Sequence, residues 1–330
     1  MNDKTLAWLL QEDNPSLRHA VLTDLLPKTC TDDEVVQTKK LIMLTGIVPK
    51  ILGLQNADGS WGTEDTFYTN KYQGTVWTLL ILAELYADPQ DERVQKACSF
   101  ILQHCFCPET GGFSTGERRQ SKTGNTTLVI PCLTGNMVFT LIRLGWFEDE
   151  RVQRAIDWIC TYQRTDDGDT PPPQGEMYDR YRYCWGSHSC HMGVAKSFKA
   201  LIEIPEGKRN ASVCAKIDEI GEYFLKHHLY KKSHHLDQVS KPGWTKFGFP
   251  LMYQTDALEL LSLFARLKIH DPRLSDAIEL VEKKKNAQGV WKLENSYNDK
   301  LLFPIEEKGK DSKWITLRAL ISLQEYQTNT

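Results

Sequence analysis

The sequence lacks any long hydrophobic run and any concentration of positive charge. No window approaches the roughly 18 consecutive apolar residues that a membrane-spanning helix needs. Lysine and arginine (40) are slightly outnumbered by aspartate and glutamate (43), which gives a formal net charge of −3 at pH 7. Nucleic-acid binding depends on a concentrated basic surface. The composition therefore predicts a protein with no membrane span and no nucleic-acid partner.

The N-terminal stretch also lacks the features of a secretion signal. Its apolar segment is short, and no small-residue cleavage site follows it. We therefore expect a cytoplasmic protein. Because disulfides are rare in that compartment, the nine cysteines are expected to be free thiols or metal ligands.

The sequence does contain an internal repeat. The heptapeptide DERVQKA at 91–97 recurs as DERVQRA at 149–155, 58 positions later. A looser copy, DPRL, lies at 271–274, which is 122 positions, or two periods, after the second. A degenerate copy is then expected near residue 210, where 208–211 opens another amphipathic stretch. Such a period predicts an architecture of successive helix pairs.

Each repeat is predicted to contain two helices of different character. The first is apolar nearly all round and is expected at 72–86, 132–144, 191–204, 252–267 and 313–323. The second is amphipathic, as at 91–104 and 149–163. Because only the amphipathic helices can face water, the alternation predicts an inner ring wrapped by an outer ring. The expected fold is all-α, an α/α toroid of about five helix pairs at 46–330, after an N-terminal helical extension at 1–45.

One turn carries a family resemblance. The segment LQNADGSWG at 54–62 resembles the Q-x3-G-x-W motif that is repeated in squalene and oxidosqualene cyclases, with weaker echoes at 111–113 and 285–291. The chain thus resembles the terpenoid cyclase and protein prenyltransferase families of α/α toroids. In that family the motif is structural. The resemblance implies that Trp61 packs on a neighbouring repeat and that Gln55 satisfies helix-end backbone groups.

The catalytic motifs of the cyclases are missing. Neither the D-x-D-D motif of squalene-hopene-type cyclases nor the D-D-x-x-D motif of class I terpene synthases is present. The nearest acidic clusters, at 32–34 and 166–169, fall at predicted helix starts and loops, where caps and turns favour such residues. A D-x-D-D triterpene cyclase is therefore not expected.

Part of the zinc site of prenyltransferase β subunits has a counterpart. His188 and Cys190 match its H-T-C-type segment, and Cys132 matches its cysteine, although Ile130 stands where the family has aspartate. Cysteine and histidine are ligands that zinc selects. Cys132 and His191 each stand seven residues before a phenylalanine of successive inner helices, so they are expected on one rim of the ring. The predicted zinc ligands are Cys132, Cys184, His188, Cys190 and His191. The alternative is that the cysteines are small buried hydrophobes and the histidines cap a helix.

Four further residues are candidates for catalysis: Asp256, Tyr253, His234 and His235. A carboxylate near the start of an inner helix is costly unless it is paired or functional, and helix capping is the alternative for Asp256. A solvated loop equally explains the two histidines. Aromatic residues near the starts of inner helices could line an apolar cavity or simply fill the core; they are Trp77, Trp185, Trp244, Tyr253 and Trp314.

Three functions compete. The first is a zinc-assisted transferase, cyclase or lyase that acts on a hydrophobic or thiol-bearing substrate in a central cavity. The second is a non-catalytic module that binds an isoprenoid, lipid or peptide in the same cavity. The third, a glycan-processing toroid, needs paired carboxylates in a cleft, and the sequence meets this need poorly. The pattern names no substrate and no protein partner.

Overall fold

The computed structural model describes residues 2–116, 119–121, 124–126, 128–179 and 183–327. Its helices are, in chain order, α1 (Asp3–Leu9), α2 (Pro15–Ala20), α3 (Asp33–Leu44), α4 (Val48–Leu52), α5 (Thr75–Glu84), α6 (Glu92–His104), α7 (Pro131–Arg143), α8 (Glu150–Tyr162), α9 (Glu176–Asp179), α10 (His191–Glu203), α11 (Ala211–Lys226), α12 (Ala257–Arg266), α13 (Ser275–Lys283) and α14 (Lys313–Gln327). Three short antiparallel pairs join β1 (Arg119–Ser121) to β2 (Gly124–Thr126), β3 (Lys231–Lys232) to β4 (His235–Val239), and β5 (Trp291–Lys292) to β6 (Asp311–Ser312). None of the helices in the described ranges is both long and apolar enough to cross a membrane.

The inner ring is built from successive apolar helices. α5 packs on α7, α7 on α10, α10 on α12, and α12 on α14. α14 then packs against a π-helical turn, Val21–Leu25, which continues α2. An ion pair of 2.8 Å between Arg318 of α14 and Glu84 of α5 also spans this closure. The predicted all-α toroid is therefore confirmed.

The N-terminal region contributes to the ring. The helix at 15–25 lies beside α14, and its residues Ala20 and Asp24 line the same cavity as residues of the other inner helices. Within the described residues the inner ring thus has six members, one more than the sequence predicts, because 15–25 occupies an inner position that the repeat pattern assigned to an extension.

The outer ring follows the predicted alternation. α3 packs on α2, α6 on α5, α8 on α7, α11 on α10, and α13 on α12. Several outer helices start in the same way. Asp91, Asp149 and Asp271 each accept a hydrogen bond from the backbone N–H two residues later and pair with the arginine at that position. Asn210 caps α11, where the degenerate copy was expected.

The turn at 54–62 joins two outer helices. The Trp61 indole N–H donates to the carbonyl of Ile51 in α4 (3.0 Å), and Gln55 donates to the carbonyl of Arg93 in α6 (2.8 Å). Trp291 repeats the arrangement with Val281 (2.6 Å). The structural role is as predicted, but the partners differ: Trp61 satisfies the helix-end carbonyl, and Gln55 bridges to the next outer helix.

Two inner helices approach each other closely at Gly135. A Cβ atom there would lie 2.4 Å from the carbonyl carbon of Lys196, so α7 and α10 contact each other backbone to backbone. Gly135→Ala should therefore lower the free energy of unfolding by about 1–3 kcal/mol, although alanine is the better helix former. Gly221→Ala in α11 is the matched control. Its Cβ would meet nothing closer than 4.0 Å, and it should stabilise by about 0.5–1 kcal/mol. Urea unfolding measures the free energy of unfolding of both variants. A change of the same sign in the two variants would contradict the close approach.

Candidate functional site

One end of the ring collects side chains from the starts of four inner helices and from the segment that leads to α14. We call it the N-terminal rim. It consists of Tyr68, Lys71, Tyr72 and Trp77 before and within α5, Cys132 at the start of α7, Cys184 and Cys190 before α10, Tyr253 before α12, and Tyr297 before α14. The starts of adjacent inner helices lie at the same end of the ring. Residues that are distant in sequence therefore meet there.

Aromatic rings form one half of the rim. The Tyr72 ring lies 5.1 Å from Trp77, 4.5 Å from Tyr297 and 6.3 Å from Tyr253, measured between ring centroids. Tyr72 and Trp77 are buried, whereas Tyr253 and Tyr297 are half-buried. Burial raises the pKa of Tyr72 and of Tyr297 above the ordinary range, so both phenols stay neutral. This half of the rim is an uncharged aromatic surface.

A lysine ammonium lies on this surface. Lys71 Nζ is 5.1 Å from the ring centroid of Tyr68, 5.7 Å from that of Trp77 and 4.8 Å from that of Tyr253. Aromatic faces attract a cation within about 6 Å of the centroid. The Lys71 side chain is exposed, so a ligand can reach the aromatic faces by displacing it.

Three thiols form the other half of the rim. Residues 184–190 make a tight hairpin, in which Trp185 pairs with Ser189 and the N–H of Cys190 donates to the carbonyl of Cys184 (3.2 Å). The two side chains also shift each other's pKa in opposite directions. Cys132 is close enough to both for their charges to interact, and Lys71 acts on Cys132 in turn. Lys71 thus connects the two halves of the rim.

The thiols differ in their acidity. The interaction with Cys184 and the N–H groups of Met192 and Gly193 in α10 lower the pKa of Cys190 to about 6, although burial opposes this shift. The same interaction raises the pKa of Cys184, and burial raises the pKa of Cys132 to about 12. Cys190 is therefore the most acidic of the three thiols, and the thiolate is the nucleophilic form of cysteine.

The two predicted histidine ligands have other surroundings. The His191 ring stacks on Trp244, with 3.7 Å between centroids, and packs edge-on against Phe224 of the outer helix α11 (4.7 Å). His188 is exposed and lies in the strand-like pairing with Asp167. The side-chain contacts of these two histidines therefore do not place them with the thiols.

The predicted zinc site finds no support in this geometry. Across the described ranges, no three histidine, cysteine, aspartate or glutamate side chains are arranged to hold one ion. The three thiols approach one another, but the fourth and fifth predicted ligands, His188 and His191, pack elsewhere. The zinc site therefore stays a prediction that these contacts do not support.

The catalytic candidates fall in three different places. Tyr253 belongs to the rim. Asp256 is buried and caps α12: its Oδ1 accepts from the N–H of Glu259 (2.8 Å) and its Oδ2 from that of Gly248 (2.9 Å). His234 is exposed and contacts the Asp167 carbonyl through Nε2 (3.1 Å), and His235 is exposed in β4. Asp256 therefore makes the contacts of a helix cap, and the two histidines lie on a surface hairpin.

The aromatic residues expected around one cavity are dispersed. Trp77 and Tyr253 share the rim, with 6.2 Å between their ring centroids. Trp185 packs on Trp158 (6.1 Å), and Trp314 stacks on Phe249 (4.5 Å). Most of these residues fill the core between helices.

The interior of the ring is charged. Lys196 of α10 contacts both carboxylate oxygens of Glu259 of α12, at 2.9 and 2.8 Å. Lys199 bridges Glu259 (3.2 Å) and Glu84, and Arg318 contacts Glu84 (2.8 Å). Burial would raise the pKa of Glu259, but the two lysine ammonium groups lower it to about 2. Four inner helices are thereby joined by ion pairs rather than by an apolar centre.

Sequence reasoning missed Lys71, Tyr72, Tyr297 and this ion network. A signal for the network was present, because Glu84 is the single charge of the apolar helix α5 and Lys196 and Lys199 lie within the largely apolar α10, where an unpaired charge is costly. No sequence signal pairs Tyr72 with Tyr297, since 225 positions separate them.

Comparisons with known proteins give matches in solved structures only. No protein-family model and no curated protein matches the chain. The type II terpene cyclase MstE from Scytonema is 15% identical with a TM-score of 0.43, covering 96% of this chain and 88% of that one. Its R337A variant with geranylgeranyl dihydroxybenzoate is 16% identical (TM-score 0.41; 95% and 86%). A family 76 glycoside hydrolase from a bovine Bacteroides thetaiotaomicron strain is 16% identical (0.42; 77% and 55%). At these values the matches assign this chain no substrate and no reaction.

Proposed function

We propose that the N-terminal rim binds a small hydrophobic molecule and that the Cys190 thiolate is its reactive group, as in a transferase, cyclase or lyase. The single observation that carries the proposal is the placement of two thiols, Cys184 and Cys190, which the 184–190 hairpin brings together at the rim that also holds the partly exposed rings of Tyr253 and Tyr297. The aromatic faces of Trp77 and Tyr253 offer apolar contact, and they also stabilise positive charge. The repeat resemblance to the terpenoid cyclases agrees with a hydrophobic ligand.

Cys190 is suited to attack an electrophilic carbon of such a ligand, so that a carbon–sulfur bond forms while the bond from that carbon to a leaving group breaks and the leaving group departs with the electron pair. It lies at the start of α10, where the N–H groups of the first helical turn and the helix dipole favour negative charge. It is half-buried, so a bound molecule can reach it. The alternative is a non-catalytic module for an isoprenoid, lipid or peptide, in which the aromatic surface binds and the thiols only pack.

Alkylation of Cys190 by iodoacetamide, followed by mass spectrometry, tests the reactive thiol. At pH 6.5 a thiol of pKa about 6 is mostly thiolate, whereas a thiol near the ordinary value of about 8.5 is about one hundredth thiolate. Cys184→Ala should raise the pKa of Cys190 toward that value. Since thiolates of higher pKa are better nucleophiles, the net fall in rate at pH 6.5 should be about five- to tenfold. Cys184→Ser, which keeps a donor, should restore much of the rate, and exposed Cys214 is the internal control.

The same assay with farnesol as the probe tests the binding surface. Saturating farnesol should slow the alkylation of Cys190 and leave Cys214 unaffected. Tyr253→Ala should weaken this protection, whereas the matched control Tyr183→Ala, at a tyrosine that is 95% exposed, should not. Protection with an ordinary pH profile of Cys190 favours the binding module. Absence of protection in the unmodified chain contradicts the proposed site.

A further inference from the structure

A cavity lies inside the ring, between the last turns of α5, α7 and α12 and the first turns of α14. It has a volume of about 370 Å³, which lies in the range of small-molecule sites. Its lining includes the last turns of α5, α7 and α12, and we call it the C-terminal cavity. Arg266 and Asp24 are exposed at its edge, so it communicates with solvent.

Each of four inner helices contributes one cation to this cavity. The four are Arg143 of α7, Lys199 of α10, Arg266 of α12 and Arg318 of α14. The acidic residues in the lining are Asp24, Glu84 and Glu259. The charged lining therefore has one more cation than anions. Glu203, which pairs with Arg143 and Arg266, and Lys196, which pairs with Glu259, extend the network to five cations and four anions, so a single negative charge on a ligand would balance it.

The arginines have donors to spare. Arg318 contacts Glu84 through Nη2, and Arg266 contacts Glu203 through Nη1, both at 2.8–2.9 Å. A guanidinium has five N–H donors, so each retains donors in a geometry that suits a planar carboxylate. Two of the arginine side chains also lie over aromatic rings, with Arg143 Cζ 5.1 Å from the Phe139 centroid and Arg318 Cζ 4.8 Å from the Phe249 centroid.

Trp314, a residue of the same lining, carries a buried donor without a partner among the described residues. Trp314 is 3% exposed, and within the described residues its Nε1 has no hydrogen-bond partner. An indole N–H can only donate, and an unsatisfied buried donor costs roughly 1–3 kcal/mol. An acceptor supplied by a ligand would remove this cost. The remaining lining is apolar, with Phe139, Leu263, Leu317 and Ile321.

We propose that the C-terminal cavity binds a small carboxylate with an apolar body, such as a medium-chain carboxylic acid. The carboxylate is held by the arginines and the Trp314 indole, and the chain lies against the apolar lining. This site is independent of the rim, because it shares no residue with it.

The test uses octanoate as the probe, with octanol and octylamine as neutral and cationic counterparts, in calorimetry and thermal shift at constant ionic strength. Octanoate should bind saturably and raise the melting temperature, and the other two should bind at least tenfold more weakly. The indole resonance that Trp314→Phe removes from a proton–nitrogen spectrum should shift on titration with octanoate. Arg266→Gln, at an exposed position, should weaken binding about tenfold, and Trp314→Phe should weaken it severalfold.

Control variants separate this site from other effects. Lys283→Gln, at an exposed lysine of α13, should leave octanoate binding unchanged, and so should alkylation of Cys190 at the rim. Equal binding of octanol, or octanoate binding that is unaffected by both Arg266→Gln and Trp314→Phe, would overturn the proposal. Loss of farnesol protection at the rim with intact octanoate binding would overturn the proposed function alone.

Discussion

Glu259→Gln is expected to lower the free energy of unfolding by about 3–5 kcal/mol. Glu259 is 3% exposed and supplies both carboxylate oxygens to Lys196, which is 1% exposed. Without the carboxylate, the ammonium of Lys196 stays buried beside a neutral amide. Removing one partner of a buried ion pair is costly for that reason, even where the pair itself contributes little.

Urea unfolding at pH 7 measures this loss, and a second variant separates charge from packing. Lys196→Met combined with Glu259→Gln should recover a large part of the stability, since methionine fills the space of the lysine without a charge. Glu148→Gln in the exposed pair with Lys208 is the matched control and should change stability by less than about 1 kcal/mol. A loss below 1 kcal/mol for Glu259→Gln itself would show that the ion pair does not hold the ring together.

The pH dependence has a defined sign. The pKa of Glu259 in the folded chain is lowered to about 2, below the ordinary value of about 4.3 in an unfolded chain. Its contribution to stability is therefore fully present above the ordinary value and is lost as pH falls toward 2. Glu259→Gln should remove this part of the acid sensitivity.

Trp61→Ala should lower the free energy of unfolding by about 3–5 kcal/mol. The side chain is 2% exposed, and its indole N–H satisfies the Ile51 carbonyl at the end of α4. The substitution leaves both a cavity and an unpaired carbonyl. Because Trp61 belongs to a turn between outer helices, farnesol protection of Cys190 and octanoate binding should persist below the melting temperature.

The control for this substitution lies in the same turn. Leu54 is 52% exposed, so Leu54→Ala should stay within about 0.5 kcal/mol of the unmodified chain. Thermal unfolding followed by circular dichroism compares the two variants. A loss of ligand binding by Trp61→Ala at unchanged stability would mean that this turn is part of a binding site.

The sequence predicted the helical ring because its signals are local. The DERVQ helix starts and the contrast between apolar and amphipathic helices are properties of short segments, and each helix pair has to bury its apolar face against the next pair. The place of the degenerate copy at Asn210 followed from the period alone. The helix boundaries were predicted less well. The helix expected from residue 252 begins at Ala257, after its cap Asp256.

Tertiary structure decided what the ring contains. Cys184 lies near Cys190 because of the hairpin between them. His191 faces α11 rather than the thiols because of the rotation of α10 about its axis. Tyr72 and Tyr297 meet only because the ring closes. The sequence by itself thus determined the repeated helix pair and its enclosure. The rim and the charged interior arose only on closure, because the contacts that form them join residues from different repeats, whose spacing in sequence carries no distance information.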